Sequence, residues 1–169
     1  MSQATYTRIV LATPLITVLA ACGGASETSK EGGSASGSDK DVPSEIAARQ
    51  ANFEAIGDSF KAIRTQLESD EPDLSIIAAE ASRMTAKGEA QGNLFPAGTS
   101  VDDGFETEAL AVIWEEQDDF IQKSKDFGAA TAKMVDLANN GDAEAVAAHV
   151  ADLGGTCKAC HEKFRVKKD

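Results

Sequence analysis

The chain has 169 residues, with 16 Lys and Arg against 28 Asp and Glu, a formal net charge of −12 at pH 7. Such acidity argues against nucleic acid as a partner and leaves basic redox partners open. Three cysteines and two histidines confine any thiol or metal chemistry to a few positions.

The first segment reads as targeting information rather than fold. Arg8 is the only charge before residue 27, and residues 9–21 form an apolar run too short to span a membrane as a mature helix. Pro14 within it suits a signal peptide better than a stable helix. The run ends Leu19-Ala20-Ala21-Cys22-Gly23, which resembles the lipobox of bacterial lipoproteins. There the peptide is cut before the cysteine and the thiol is lipidated. We therefore expect a signal peptide over 1–21, a lipidated Cys22 with a flexible tether over 22–42, and one domain over 43–169. Cleavage removes Arg8 and no acid, so the balance becomes 15 − 28 = −13. The tether is rich in Gly, Ser and Ala with little to bury. A Gly/Ser-rich tether of about 20 residues reaches roughly 25 Å, which would hold the domain clear of a membrane touched only through the lipid.

From residue 43 onward the pattern is helical. Pro43-Ser44 opens the first helix, and Ile46, Arg49, Phe53, Ile56, Phe60, Ile63 and Leu67 follow at spacings of three and four, the period of a helical seam. Ser69-Asp70-Glu71-Pro72-Asp73 stops this helix and starts the next. Leu74, Ile77, Ala81 and Met84 form the second stripe, which Gly88 and Gly92 weaken. A longer loop through Phe95-Pro96-Ala97-Gly98 and Asp102-Asp103-Gly104 leads to a third stripe: Leu110, Ile113, Gln117, Phe120, Ser124, Phe127, Thr131, Met134 and Ala138. Glu115, Glu116, Asp118 and Asp119 beside it read as a solvated face. Asn139-Asn140-Gly141-Asp142 is a stop and restart. The last stripe is Val146, Val150, Leu153, Cys157, Cys160 and Phe164, with Lys163, Arg165, Lys167 and Lys168 at the end, where cations oppose the helix dipole. Four helices with mostly short connections predict an all-α, antiparallel four-helix bundle.

The last stripe contains Cys157-Lys158-Ala159-Cys160-His161, the spacing of a covalent c-type haem site. Two thiols one turn apart can add to the two vinyl groups of one porphyrin. The following histidine can then ligate the iron. A redox dithiol would need a βαβ context, and zinc would need a second pair of ligands. With Cys22 assigned to lipid, one haem c accounts for the other two thiols. Arg49 stands out in the first seam, because a buried guanidinium without a partner is very costly. It is either an edge residue with its head in water or the partner of a buried anion. With a haem attached to the last helix, a propionate is the favoured partner.

These residues resemble the class II cytochromes c, specifically the cytochrome c′ family, over roughly residues 44–168. The resemblance is carried by Gly154-Gly155-Thr156-Cys157-Lys158-Ala159-Cys160-His161-Glu162-Lys163-Phe164-Arg165 near the chain end. It is extended by Arg49-Gln50, Phe95 through Gly98-Thr99, Ile113-Trp114 and Asn140-Gly141-Asp142. The resemblance implies that Cys157 and Cys160 hold the haem and that His161 is the axial iron ligand. It further implies that Arg49 and Gln50 contact the propionates and that Arg165 lies beside the histidine, with Phe164 in the same pocket. Trp114 either lines that pocket or packs helices. Members of the family typically have five-coordinate iron that binds nitric oxide and carbon monoxide, and many are homodimers.

A sixth ligand is hard to find. His149 lies 12 residues before His161, roughly 18 Å along a helix, and reads as a surface or edge histidine. Met84 and Met134 fall on apolar stripes and read as core filler. In low-spin relatives the ligating methionine comes from the first helix near the position of Phe53, and a phenyl ring cannot coordinate iron. Phe53 is expected to cap the open side of the haem, leaving no hydrogen-bond donor for dioxygen. The expected function is a periplasmic, membrane-tethered haem protein that captures nitric oxide or carbon monoxide in a scavenging or detoxification role. An electron-transfer cytochrome with six-coordinate, low-spin iron is the alternative, and its periplasmic redox partner is not specified by the sequence. Peroxidase or nitric oxide reductase activity is disfavoured.

Overall fold

The computed structural model describes residues 43–167; the expected signal peptide, Cys22, the tether and Lys168 lie outside the described residues. Four long helices make the bundle: α1 Ser44–Leu67, α2 Leu74–Ala90, α4 Gln117–Asn139 and α5 Ala143–Phe164. A single-turn helix, α3 Val112–Glu115, precedes α4, and a 3₁₀ turn, Gln91–Leu94, extends α2. The only β pairing among the described residues is an isolated antiparallel bridge between Ala109 and Arg165. No described helix is long and apolar enough to cross a membrane.

The helix boundaries follow local chemistry. Asp73 caps α2, accepting from the backbone N–H of Ser75 at 2.9 Å and of Ile76 at 3.3 Å. Asp142 caps α5 by accepting from Ala145 N–H at 2.9 Å, directly after Gly141 takes a φ of +75° that favours glycine. No side-chain cap is present on α1, a loss of about 1 kcal/mol. Ile46 and Ile63 on the same helix are fully buried, and each such side chain contributes roughly 1.5–3 kcal/mol, so packing decides the helix.

The main core joins Ile56 and Ile63 of α1, Ile77, Ala81 and Met84 of α2, Phe127 and Met134 of α4, and Val146 and Leu153 of α5. Gly88, whatever it costs the helix, lets α2 close on α4: a Cβ there would sit 2.9 Å from Cε1 of Phe127. One expectation is corrected here. The third stripe is not one helix, because the backbone breaks at Glu116 (φ −119°, ψ 51°). The break separates α3 from α4 within a run of five polar residues, Glu115 to Asp119, that has no apolar side chain to bury. Along the bundle α1 packs on α2, α2 on α4 and α4 on α5, whereas α1 and α5 meet through side chains such as Phe60 against Gly154. The candidate site lies between those two helices.

Candidate functional site

A cavity of about 490 Å³ is lined by Gln50, Phe53, Ile56, Gly57 and Phe60 of α1 and by Thr156, Cys157, Cys160, His161 and Phe164 of α5. Its size is that of a small-molecule or cofactor pocket, for which about 300–1,000 Å³ is usual. Two further walls come from α4 (Phe120, Lys123, Ser124, Phe127) and from the loop (Phe95, Thr107, Glu108, Ala109). Four rings run from one side to the other in edge contacts: Phe53 to Phe95 at 6.1 Å, Phe95 to Phe120 at 4.8 Å, and Phe120 to Phe164 at 5.3 Å between centroids. Such edge-to-ring pairs fix ring orientation as well as burying area.

Cys157, Cys160 and His161 reach this cavity together because positions three and four apart share one helix face. Both thiols are free and half-buried. Burial raises the pKa of each, and that of Cys160 to about 11 against a partly opposing effect of Lys123. Thiols so raised stay protonated at neutral pH, unlike redox Cys-x-x-Cys pairs, whose nucleophilic thiol is depressed. Burial, followed by the charge of Arg165, lowers the pKa of His161, while Glu108 opposes them. The imidazole is therefore neutral at pH 7, the form that binds a metal. Among the described residues no three His, Cys, Asp or Glu side chains form a metal cage. One imidazole with two flanking thiols on an apolar pocket fits a macrocycle that brings its own equatorial donors, as a haem does.

Arg49 is 3% exposed, which overturns the edge reading. Its Nη1 donates to the carbonyl of Leu94 at 3.3 Å and to the Thr99 hydroxyl at 3.1 Å. Its Nη2 donates to the Thr99 carbonyl at 2.9 Å and to the Thr107 hydroxyl at 2.8 Å. The guanidinium also lies 4.8 Å over the Phe95 ring. These four acceptors are uncharged, so Arg49 clasps the loop from within, and any anion in the cavity would meet a cation already held by it. Gln50 donates to the Glu106 carbonyl at 3.0 Å, tying the same loop from outside.

For Trp114 the packing alternative holds, and two other expectations change. Trp114 is not on the cavity; its indole N–H donates to the Phe95 carbonyl at 3.0 Å, so it supports the wall from behind, where a buried donor finds an acceptor. His149 is neither surface nor edge, being 5% exposed. Its Nε2 lies 2.9 Å from the Ala130 carbonyl, clamping α5 to α4, and its Nδ1 stands 3.5 Å from Asp152 without forming a hydrogen bond. The acidic face beside α4 is not wholly solvated. Lys163 bonds Glu116, and Asp119 at 2.8 Å, pinning the end of α5 to the break before α4. Met84 and Met134 are fully buried in the main core.

The sequence reading missed Gln91 and Ser124, which hydrogen-bond to each other and line the cavity. A signal existed for both. Gln91 continues the α2 stripe one turn past Gly88, and Ser124 sits between Phe120 and Phe127 on the α4 stripe. It also missed Thr107, Glu108 and Lys123; the two loop residues carry no periodic signal at all.

The comparisons with known proteins point one way. A family model described as Cytochrome C′ matches residues 44–165. The chain is similar to cytochrome c′ of Cereibacter sphaeroides, with 35% identity over 125 residues that span 73% of this chain and 83% of the relative. It is similar in structure to cytochrome c′ from Rhodobacter Spheriodes, with a TM-score of 0.68 at 34% identity, over 76% of this chain and 99% of the other. The nitric oxide complex of a mutant cytochrome c prime from Alcaligenes xylosoxidans is similar at a TM-score of 0.66 and 25% identity, over 76% and 98% of the two chains.

Proposed function

This chain belongs to the cytochrome c′ family, whose members carry one covalent c-type haem, and on that premise we propose that it captures nitric oxide or carbon monoxide at five-coordinate iron. Cys157 and Cys160 would hold the haem through thioether links, and His161 would ligate the iron. When bound, the haem supplies an iron with one side open to a small diatomic gas. The chain's own residues do the rest. The apolar rings of Phe53, Phe60 and Phe127 exclude water, and Phe53 limits the size of the guest.

The observation that carries this reading is the composition of the cavity wall. Among the described residues, His161 is the one imidazole on the wall, and no methionine lines it. His149 is committed to Ala130, and the Lys123 ammonium stands 3.8 Å from Asp119. Among the described residues no lining side chain of the type that usually supplies a sixth ligand remains. A relative with a solved nitric oxide complex supports the choice of gas. We further propose a periplasmic location, with attachment to the membrane through Cys22. Absorption spectra of the reduced protein test the site: high-spin bands that change promptly on adding carbon monoxide or nitric oxide are expected. A sharp low-spin α-band indifferent to carbon monoxide would establish the electron-transfer alternative instead.

A further inference from the structure

We propose that Glu108 is a positioning residue for Arg165, and that through it the loop sets the charge standing beside His161. The inference rests on His161 being the iron ligand, as proposed above. Oε2 of Glu108 lies 3.6 Å from Nε of Arg165, with the two side chains 41% and 45% exposed. On an open surface such a pair would contribute little, because two long side chains must be immobilised to form it. Here the main chain already holds both residues. Val166 N–H donates to the Glu108 carbonyl at 2.9 Å, and Leu110 N–H donates to the Phe164 carbonyl at 3.1 Å. These bonds flank the bridge between Ala109 and Arg165.

The loop is anchored on its other side as well. Val101 N–H donates to the Ala109 carbonyl at 2.9 Å, and Thr107 receives Arg49 at 2.8 Å. Glu108 and Arg165 both line the cavity. Arg165 N–H donates to the His161 carbonyl at 3.3 Å, so the arginine stands one turn beyond the imidazole. The arrangement therefore places a compensated cation, not a free one, next to the iron ligand. Removing the carboxylate leaves Arg165 both uncompensated and free to turn, and positive charge near the haem favours the ferrous state.

The test is a spectroelectrochemical titration of the haem-loaded protein and of Glu108→Gln, Arg165→Gln and the double variant. We expect Glu108→Gln to raise the ferrous-to-ferric ratio at fixed potential about threefold, as suits a half-exposed pair. That is about 28 mV at 59 mV per tenfold. In the Arg165→Gln background the same substitution should have a clearly smaller effect, because only the direct action of the carboxylate on the site remains to be lost. An unchanged potential in Glu108→Gln would overturn the proposal. So would an equal shift in both backgrounds, which would mean that Glu108 acts as a distant charge or through the loop in general. The titration needs no gas, so a six-coordinate iron would refute the gas-binding reading while leaving the coupling between Glu108 and Arg165 measurable.

Discussion

Replacing Arg49 by Met tests the claim that this side chain holds the loop. Met has a similar length and stays apolar, but it donates no hydrogen bond. The carbonyls of Leu94 and Thr99 each lose a donor, and a buried unsatisfied acceptor costs about 1–3 kcal/mol. The Thr99 hydroxyl keeps its own acceptor, the Pro96 carbonyl at 2.8 Å, and adjusts at little cost. The contact of the guanidinium with the Phe95 ring is also lost, worth roughly 0.5–2 kcal/mol. Against these stands relief of the desolvation that lowers the Arg49 pKa. The balance is a destabilisation of about 2–4 kcal/mol. With a urea slope of roughly 1–3 kcal/mol per molar, the unfolding midpoint should fall by about 1–2 M. The amide of Val101, bonded across the loop to Ala109, should exchange faster with solvent deuterium. Arg49→Lys should fall between the two, because one ammonium cannot span four acceptors. A Met variant with the wild-type midpoint and an equally protected Val101 amide would refute the clasp. It would return Arg49 to a role that depends only on the haem.

Three other outcomes are expected. Phe53→Ala should accelerate carbon monoxide association by about tenfold, equivalent to roughly 1.4 kcal/mol off the barrier; an unchanged stopped-flow rate would exclude a steric cap. His149→Leu should lose about 1–2 kcal/mol of stability in urea titration through the missing bond to Ala130 while leaving the haem spectrum untouched, and a spectral change would mean that His149 communicates with the iron. Lys163→Met should destabilise at neutral pH but not in acid. The hydrogen bond from Lys163 holds the Asp119 carboxyl below its ordinary range. That contribution is present above the unfolded pKa of about 3.9 and is lost as pH falls through the lower folded value. The gap between variant and wild-type urea midpoints should therefore close between pH 7 and pH 2, and a gap of constant size would show that Lys163 acts by packing alone.

The haem motif and the four helices were readable because both are local. Cys157, Cys160 and His161 meet through the spacing of one helix turn, and Asp73 and Asp142 cap the residues that follow them directly. Arg49 was conspicuous because a charge interrupted an apolar period, although the period could not say which partner it had. What the sequence left open or misread has one cause. Gly88 looks like a weak point until the Phe127 ring, 39 residues later in sequence, is brought against it. His149 has no hydrogen-bond partner on its own helix, and only the packing of α5 on α4 brings the Ala130 carbonyl within reach. Trp114 follows Ile113 in the motif, but its indole N–H turns to Phe95 rather than to the cavity.

By itself the sequence determined the helical periodicities, the caps and turns between them, and the placement of two thiols and an imidazole on one helix face. Each of these depends on residues a few positions apart, where backbone geometry leaves few alternatives. Only the tertiary structure decided that a cavity opens between α1 and α5, that Arg49 serves the loop, and that Glu108 meets Arg165. Those contacts join residues about 50 or more positions apart. They depend on the path of an irregular loop, which follows from hydrogen bonds that no repeating pattern encodes.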